Sequence, residues 1–485
     1  MGDGSLDRRF GDLRSLMQSP RPGPEWSEAL LRLLLSARDE SPGAFDATWS
    51  PYLASFNELW ASLPVALSDE AVAALSLDGD LSSIASVLPY ARYALSFEGV
   101  MLTHARLDLA LETARSLSLD SLSIDGVKLD SRRVGALAEL SGEASPRAMT
   151  VRNTNLGRLY LSELGSSGLF ESIESLDLES SEFSDRALVA LMGSGHLPSL
   201  RELNLEANAV SDEGFGALVS MERAPLLRDV NLSRCPLTPS AMKHWTDEPG
   251  HWTGLGLSST LVGEEGVLSV ARSRRTASLT SLKLSNVTQH VNSPFAALVV
   301  SDHVRALKQL DVSSNGLGRV FVDALSASYS LRSLEELDLG GNRVDSEGLE
   351  SILSSPAARH LTSLKLGGCP IGPDELHVIA AAMPEMNLTR LTTGGRDPVS
   401  ADTLRMLSHT PGFERLRYLN LSGKIMDSAG VVALVESDRM ALDALFLTGR
   451  GLDDDGSAAL RGAGFASLAH EPGMWSRRGP SRNLE

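Results

Sequence analysis

Cysteine is nearly absent from this chain, with only Cys235 and Cys369 among 485 residues. So few thiols exclude a disulfide framework and fit a reducing compartment. Long apolar runs are missing too, and none approaches the ~18 residues needed to span a bilayer. The opening MGDGSLDRRFGDLRSLMQSP has no apolar core of signal-peptide type, so a cytoplasmic protein is expected. Basic charge is in short supply: 44 Lys and Arg stand against 62 Asp and Glu, a formal net charge of −18. A negative field repels phosphate backbones and anionic membranes, which disfavours nucleic acid and membrane as partners. Chemistry-bearing motifs are lacking as well. TGLGLSS has neither the remaining glycine nor the lysine of a phosphate loop. HWTDEPGHW places His244 and His251 near Asp247 and Glu248, but in an irregular segment that reads as structural rather than metal-binding. No nucleophile and base fall into a usable arrangement. The expectation is a non-enzymatic protein with no cofactor and no metal.

What the chain does have is a repeat. In LEELDLGGNRVDSEGLESI, Leu337 and Leu339 alternate like a strand, while Leu349 and Ile352 are spaced like a helix face. One strand and one helix of this size cannot bury both apolar faces alone. Related stretches recur: SLRELNLEANAV, ALKQLDVSSNGL, LTSLKLGGCPI and RLRYLNLSGKIM among others. The second strand residue falls at 97, 119, 151, 178, 205, 232, 257, 284, 312, 339, 366, 393, 421 and 447. From 151 onward the steps lie between 25 and 28 residues, mostly 27. Such a period is the signature of a solenoid in which each copy is covered by its neighbours. Small polar or acidic residues open the helical half in VSDEGF, VDSEGL, VGEEGV and MDSAGV, and Pro239 in LTPSAM suits a first helical position.

These residues resemble leucine-rich repeats, and the ~27-residue copy with a helix is similar to the ribonuclease-inhibitor-like subfamily. The resemblance covers roughly 95 to 465. It implies an α/β solenoid: a right-handed horseshoe of about 13 to 14 repeats, with parallel strands on the concave face and helices on the convex one. The family's Asn, which bonds backbone groups where the chain leaves the strand, stands only at Asn208, Asn315 and Asn342. Ser181, Thr154, Thr260, Cys235, Cys369, Lys424, Arg396 and Arg450 hold the position elsewhere. Cys and Thr can do the job in part, Lys and Arg cannot, and distortion is expected near 287, 396 and 424. Both cysteines read as buried structural thiols.

Residues 1–90 lack the repeat and contain Trp26, Trp49 and Trp60. PEWSEALLRLLLSARDE has helical apolar spacing, and AFDATWSPYLASFNELWASL reads as a second helical segment. The expected organisation is a helical N-terminal cap over 1–90, a repeat solenoid over 91–465 and a disordered tail over 466–485.

Function should lie on the strand face turned away from the helices. The residue between the two strand leucines points there. Asp177, Glu179, Glu202, Glu206 and Asp229, with Asn204 and Asn231, form an acidic zone suited to a basic protein surface. Glycines such as Gly340, Gly341, Gly367 and Gly368 follow later strands and either let the backbone turn tightly or leave a flat floor for a partner. Tyr418 and Phe446 stand at the end of that floor as candidate anchors, although Phe446 would also suit packing under the tail. The reading is a protein–protein recognition module. Its alternatives are a regulator of a partner enzyme (a GTPase activator or an inhibitor) and a targeting arm for the N-terminal domain. The oligomeric state is left open.

Overall fold

The structure is a computed structural model. It describes residues 3–18, 24–42, 45–56, 65–68, 88, 91–98, 104–115, 117–140, 145–155, 164, 167–193, 197–220, 226–395, 398–424, 428–447, 454–467 and 474–476. The chain divides into two compact units, Met1–Cys235 and Pro236–Glu485.

The first unit opens with helices Asp3–Gln18 and Pro24–Glu40, a π-helical turn at Phe45–Trp49 and a short helix at Ser50–Ala54. Leu13, Met17, Leu30, Leu31, Leu34, Phe45, Trp49 and Leu53 are buried. Phe10 packs against Trp49 and Tyr52 at ring distances of 5.6 and 5.3 Å. Inside this segment, expected to be helical, Val65–Ser68 forms strand β1, and Ser27 Oγ accepts a hydrogen bond from Ala66 N at 3.0 Å. Trp60 lies outside the described residues.

Strands β2 (Tyr93–Glu98), β3 (Leu119–Asp125), β4 (Ala148–Arg152), β5 (Ser175–Asp177), β6 (Glu202–Asn204) and β7 (Asp229–Asn231) follow, and each pairs in parallel with the one before. One position of the sequence reading changes here. ARSLSLDSLSI contains two successive Leu-x-apolar pairs, and the first, Leu117 and Leu119, makes Ser118 the outward residue expected from sequence. The sheet uses the second: Leu95 aligns with Leu122, Leu122 with Met149, and Ile124 with Val151. Ser123 is therefore the outward residue, and the period of 27 extends back to Phe97.

The second unit carries β8 (Gly254–Gly256), β9 (Ser281–Lys283), β10 (Gln309–Asp311), β11 (Glu336–Asp338), β12 (Ser363–Lys365), β13 (Arg390–Thr392), β14 (Tyr418–Asn420) and β15 (Ala444–Phe446). All are parallel and in register with the next. Two short strands lie in the segment expected to be a disordered tail: β16 (Ala466–Ser467) and β17 (Met474–Ser476). β17 pairs antiparallel with β15 and places Trp475, itself buried, opposite Leu445. It thereby covers an edge that would otherwise present unpaired backbone groups.

In both units the leucines that flank the outward position are buried, Leu176 and Leu178 or Leu337 and Leu339 for example. Each contributes about 1.5–3 kcal/mol of apolar burial. Helices return the chain on the other side. Ser211 caps Asp212–Val219, and Asp345 caps Ser346–Leu353 by accepting from Gly348 N at 2.8 Å. VGEEGV differs, since Val262 precedes Gly263–Arg272 without a side-chain cap. LTPSAM also differs: only a 3-10 helix forms, Ala241–His244, and Pro239 lies ahead of it. There Trp245 and Trp252 are buried 5.7 Å apart, and Trp245 Nε1 donates to Thr276 Oγ1 at 3.2 Å.

The Asn position behaves as its chemistry demands. Asn315 Oδ1 accepts from Val287 N and Thr288 N at 2.9 and 3.0 Å, while its Nδ2 donates to Leu284 O and Val312 O at 2.8 and 3.0 Å. Asn208 and Asn342 make equivalent sets. Cys235 and Cys369 retain a single donor contact each, Sγ to Leu205 O at 3.2 Å and to Leu339 O at 3.1 Å. Lys424 is buried, and its ammonium reaches back to the carbonyl of Ile371. Arg396 and Arg450 lie outside the described residues. Each unit is an α/β solenoid.

Candidate functional site

The strand register arranges the outward side chains of the first unit as a grid. Ser175, Glu202 and Asp229 align across β5 to β7, and Asp177, Asn204 and Asn231 form the next row. Neighbours within a row sit about 4.8 Å apart. At that spacing bare carboxylates repel, as Glu202 and Asp229 do side by side on β6 and β7, but two other carboxylates have amides beside them. Asn204 Nδ2 donates to Asp177 Oδ1 at 3.0 Å, and Asn231 Nδ2 donates to Glu206 Oε2 at 3.1 Å. Ser175 Oγ donates to Glu202 Oε2 at 2.9 Å.

Two features of the grid were not read from sequence. The first is a cation. Arg152 Nε lies 3.0 Å from Asp177 Oδ2 and 3.5 Å from Glu179 Oε2, so one corner of the acidic zone is partly neutralised. Arg152 sits two residues beyond the central position of β4, the same offset as Glu179 and Glu206, but one strand before the acidic residues. Hydrogen bonding to Asp177 raises its pKa against the opposing cost of burial. Burial also pushes the Glu179 carboxyl above its usual range; Arg152 opposes the shift and Glu206 reinforces it.

The second feature is a structural duty for the central residue. Its side-chain oxygen accepts from the backbone N–H two residues on: Asp177 from Glu179 at 3.0 Å, Asn204 from Glu206 at 3.0 Å and Asn231 from Ser233 at 3.1 Å. The second unit repeats this with Asp311, Asp338 and Asn420, at 2.9, 2.9 and 2.8 Å. Asp and Asn are common here because a short side-chain acceptor reaches that amide. Asp177, Asn204 and Asn231 thus hold the backbone whether or not they meet a partner.

The remaining candidates lie in the second unit. Tyr418 and Phe446 share the outward face of β14 and β15, and both are half-buried. The Arg390 guanidinium lies 5.0 Å from the Tyr418 ring, and Asn420 Nδ2 lies 3.4 Å from its hydroxyl. Phe446 aligns with Met474 of β17.

The glycine floor has a backbone explanation. The residue two beyond the second strand position is left-handed at ten places: Asn153, Ser180, Ala207, Arg234, Ser259, Asn286 and Ser314, then Gly341, Gly368 and Gly423, with φ between 51° and 78°. Gly341 is at +67°, and its N–H continues the ladder to Gly367 O at 2.8 Å. A Cβ on Gly340 would lie 2.8 Å from Gly367 O, closer than real Cβ atoms approach.

A charged hollow lies on the second unit's outward face. Lys283, Asp311, Asp338 and Lys365 stand in register across β9 to β12, and together with Gln309, Glu336 and Ser363 they line a hollow of about 310 Å³. Lys365 Nζ is 3.9 Å from Asp338 Oδ2. Burial raises the Asp338 carboxyl, Asp311 adds to the shift, and Lys365 and the Gly340 amide oppose it. The order plus, minus, minus, plus was legible in the central positions.

Burial pushes the Cys235 thiol up to about 11 and raises Cys369 as well, which makes both poor nucleophiles. Among the described residues no group of three or more His, Cys, Asp or Glu could hold a metal ion. Among the same residues no helix is long and apolar enough to cross a membrane.

The family model described as Leucine Rich repeat matches residues 196–219, 330–353 and 357–374. No curated protein matches the chain. Among solved structures, an internalin from Listeria monocytogenes is similar at 18% identity and a TM-score of 0.40, over 72% of this chain and 86% of its own. The mouse RP105/MD-1 complex is similar at 17% identity and a TM-score of 0.39, over 79% and 59% of the two chains. The yeast Rad7 and Elc1 complex is similar at 13% identity and a TM-score of 0.49, over 85% and 96%. Likenesses of this grade carry no inference about function. The matched segments each fall on strand, turn and helix stretches of the register described above, so the chain carries leucine-rich repeats.

Proposed function

We propose that the chain is a non-enzymatic recognition module that binds a basic protein surface on the outward strand face of its first unit. The observation that supports this is the hydrogen-bonded grid over β5 to β7. It presents Glu179, Glu202, Glu206 and Asp229 from a scaffold already fixed by Asp177, Asn204 and Asn231. A preorganised grid loses little freedom on binding, and its charge speeds capture of a cationic partner. Tyr418 and Phe446 serve as anchors for a second contact. The 27-residue period with a helix in most turns favours the ribonuclease-inhibitor-like subfamily. The contact of the helical segment with β1, through Ser27 and Ala66, favours its role as the cap of the array. The scarcity of cysteine, and two thiols both buried, favour the cytoplasm.

The test is a comparison of retained proteins from the source cell on three baits: wild type, the Glu202→Lys/Asp229→Lys variant and a Glu264→Lys/Glu265→Lys helix-surface control. A basic protein held by wild type and control but lost by the first variant, with unchanged thermal unfolding, is the expected result. Equal retention on all three baits would remove the acidic grid as a docking site.

A further inference from the structure

We infer that the second unit has a separate docking hollow between two return loops, and that it takes a peptide segment of a partner protein carrying a carboxylate beside an aliphatic side chain. Most turns of this unit come back from helix to strand through a 3-10 helix, as at Asp302–Val304 and Pro356–Ala358. The intervening return, residues 327–333, does not. It is nevertheless pinned: Ser328 is buried and donates to Val299 O, and Leu331 is fully buried. Tyr329 and Arg332 are held outward by this pinning. Tyr329 is 67% exposed and Val300, across the hollow, is 51% exposed. The hollow measures about 580 Å³, within the range of ligand pockets.

The occupant's chemistry follows from the lining. The Arg332 guanidinium carbon lies over the Tyr329 ring, 4.7 Å from its centroid. The ring holds the guanidinium beside the hollow, where its donors suit an incoming carboxylate. Asp302 is already paired with Arg305 at 2.6 Å, and among the described residues Arg332 has no acidic partner. Two cations and one anion leave the hollow positive in a chain whose net charge is −18. Tyr and Arg are the residue types that dominate interface energetics, and an exposed Val–Tyr pair supplies the apolar half.

The experiment presents the full chain to a display library of random octapeptides and repeats the selection with Arg332→Glu and Tyr329→Ala. Both side chains are exposed, and unchanged thermal unfolding confirms that each variant folds. Expected is enrichment of Asp or Glu next to Leu, Ile or Val. The best peptide should bind at least tenfold more weakly to both variants, and the Arg332→Glu selection should move toward Lys or Arg. The Glu202→Lys/Asp229→Lys variant should bind that peptide like wild type, which separates this hollow from the acidic grid. No enrichment, enrichment of another chemistry or equal binding by the variants would overturn the inference. So would light scattering that showed Arg332→Glu dissolving a dimer, because the occupant would then be a second copy.

Discussion

Asp338 shows how a single side chain can be both useful and costly. Its oxygen holds the Gly340 amide at 2.9 Å, yet burial and the nearby Asp311 raise its pKa. A carboxyl raised in the native state binds its proton more tightly folded than unfolded. Its contribution to stability is therefore lost as pH rises through the carboxylate range, and stays lost above it. Asp338→Asn keeps an acceptor for Gly340 and removes the charge. The variant should be more stable than wild type at pH 7, and the advantage should vanish below about pH 4. Urea midpoints at the two pH values test this, and an equal difference at both would rule out ionisation as the cause. Nothing in the sequence distinguished this Asp from Asp177 or Asp311. The central residue's bond to the amide two positions on depends on backbone direction, which no residue type announces. Arg152 was missed for a related reason, because it serves the acidic grid from the next strand along.

At the scale of the element, the turn that leaves each strand needs two things: a left-handed residue and an acceptor–donor side chain one position later. The second was legible as the recurring Asn, with Cys, Ser or Thr as lesser substitutes. The first was not, because the residues that meet it share no side chain. Ala207 at φ 56° and Gly341 at φ 67° do the same job. A Cβ in this region costs about 1–2 kcal/mol, and glycine returns part of that as lost chain entropy. Ala207→Gly should accordingly raise stability by about 1 kcal/mol, read as a higher urea midpoint at unchanged slope. A lower midpoint would mean that the Ala207 methyl contributes packing that outweighs its strain. The two successive pairs in ARSLSLDSLSI mislead for a comparable reason: two strand registers fit the local pattern, and only the neighbours Leu95 and Met149 decide between them.

For the whole molecule the period was the legible quantity, since a spacing near 27 residues survives local errors. The charge balance was equally legible, and it carries a prediction. Exposed ion pairs such as Arg319–Glu347, at 2.8 Å, contribute little. A net charge of −18 repels itself over distances that salt shortens. Repulsion should win, so thermal unfolding should shift upward between low salt and about 0.15 M; a downward shift would show that the ion pairs dominate. The strand register itself has a consequence for inheritance. Gln309, Glu336 and Ser363 face one another at equal offsets of 27 residues. Joining Glu335 directly to Ser363 would set Gln309 beside Ser363 with every side chain still on its own face. A gene for such a chain can gain or lose 27 codons and keep its architecture, whereas a single codon added within a strand turns that strand inside out.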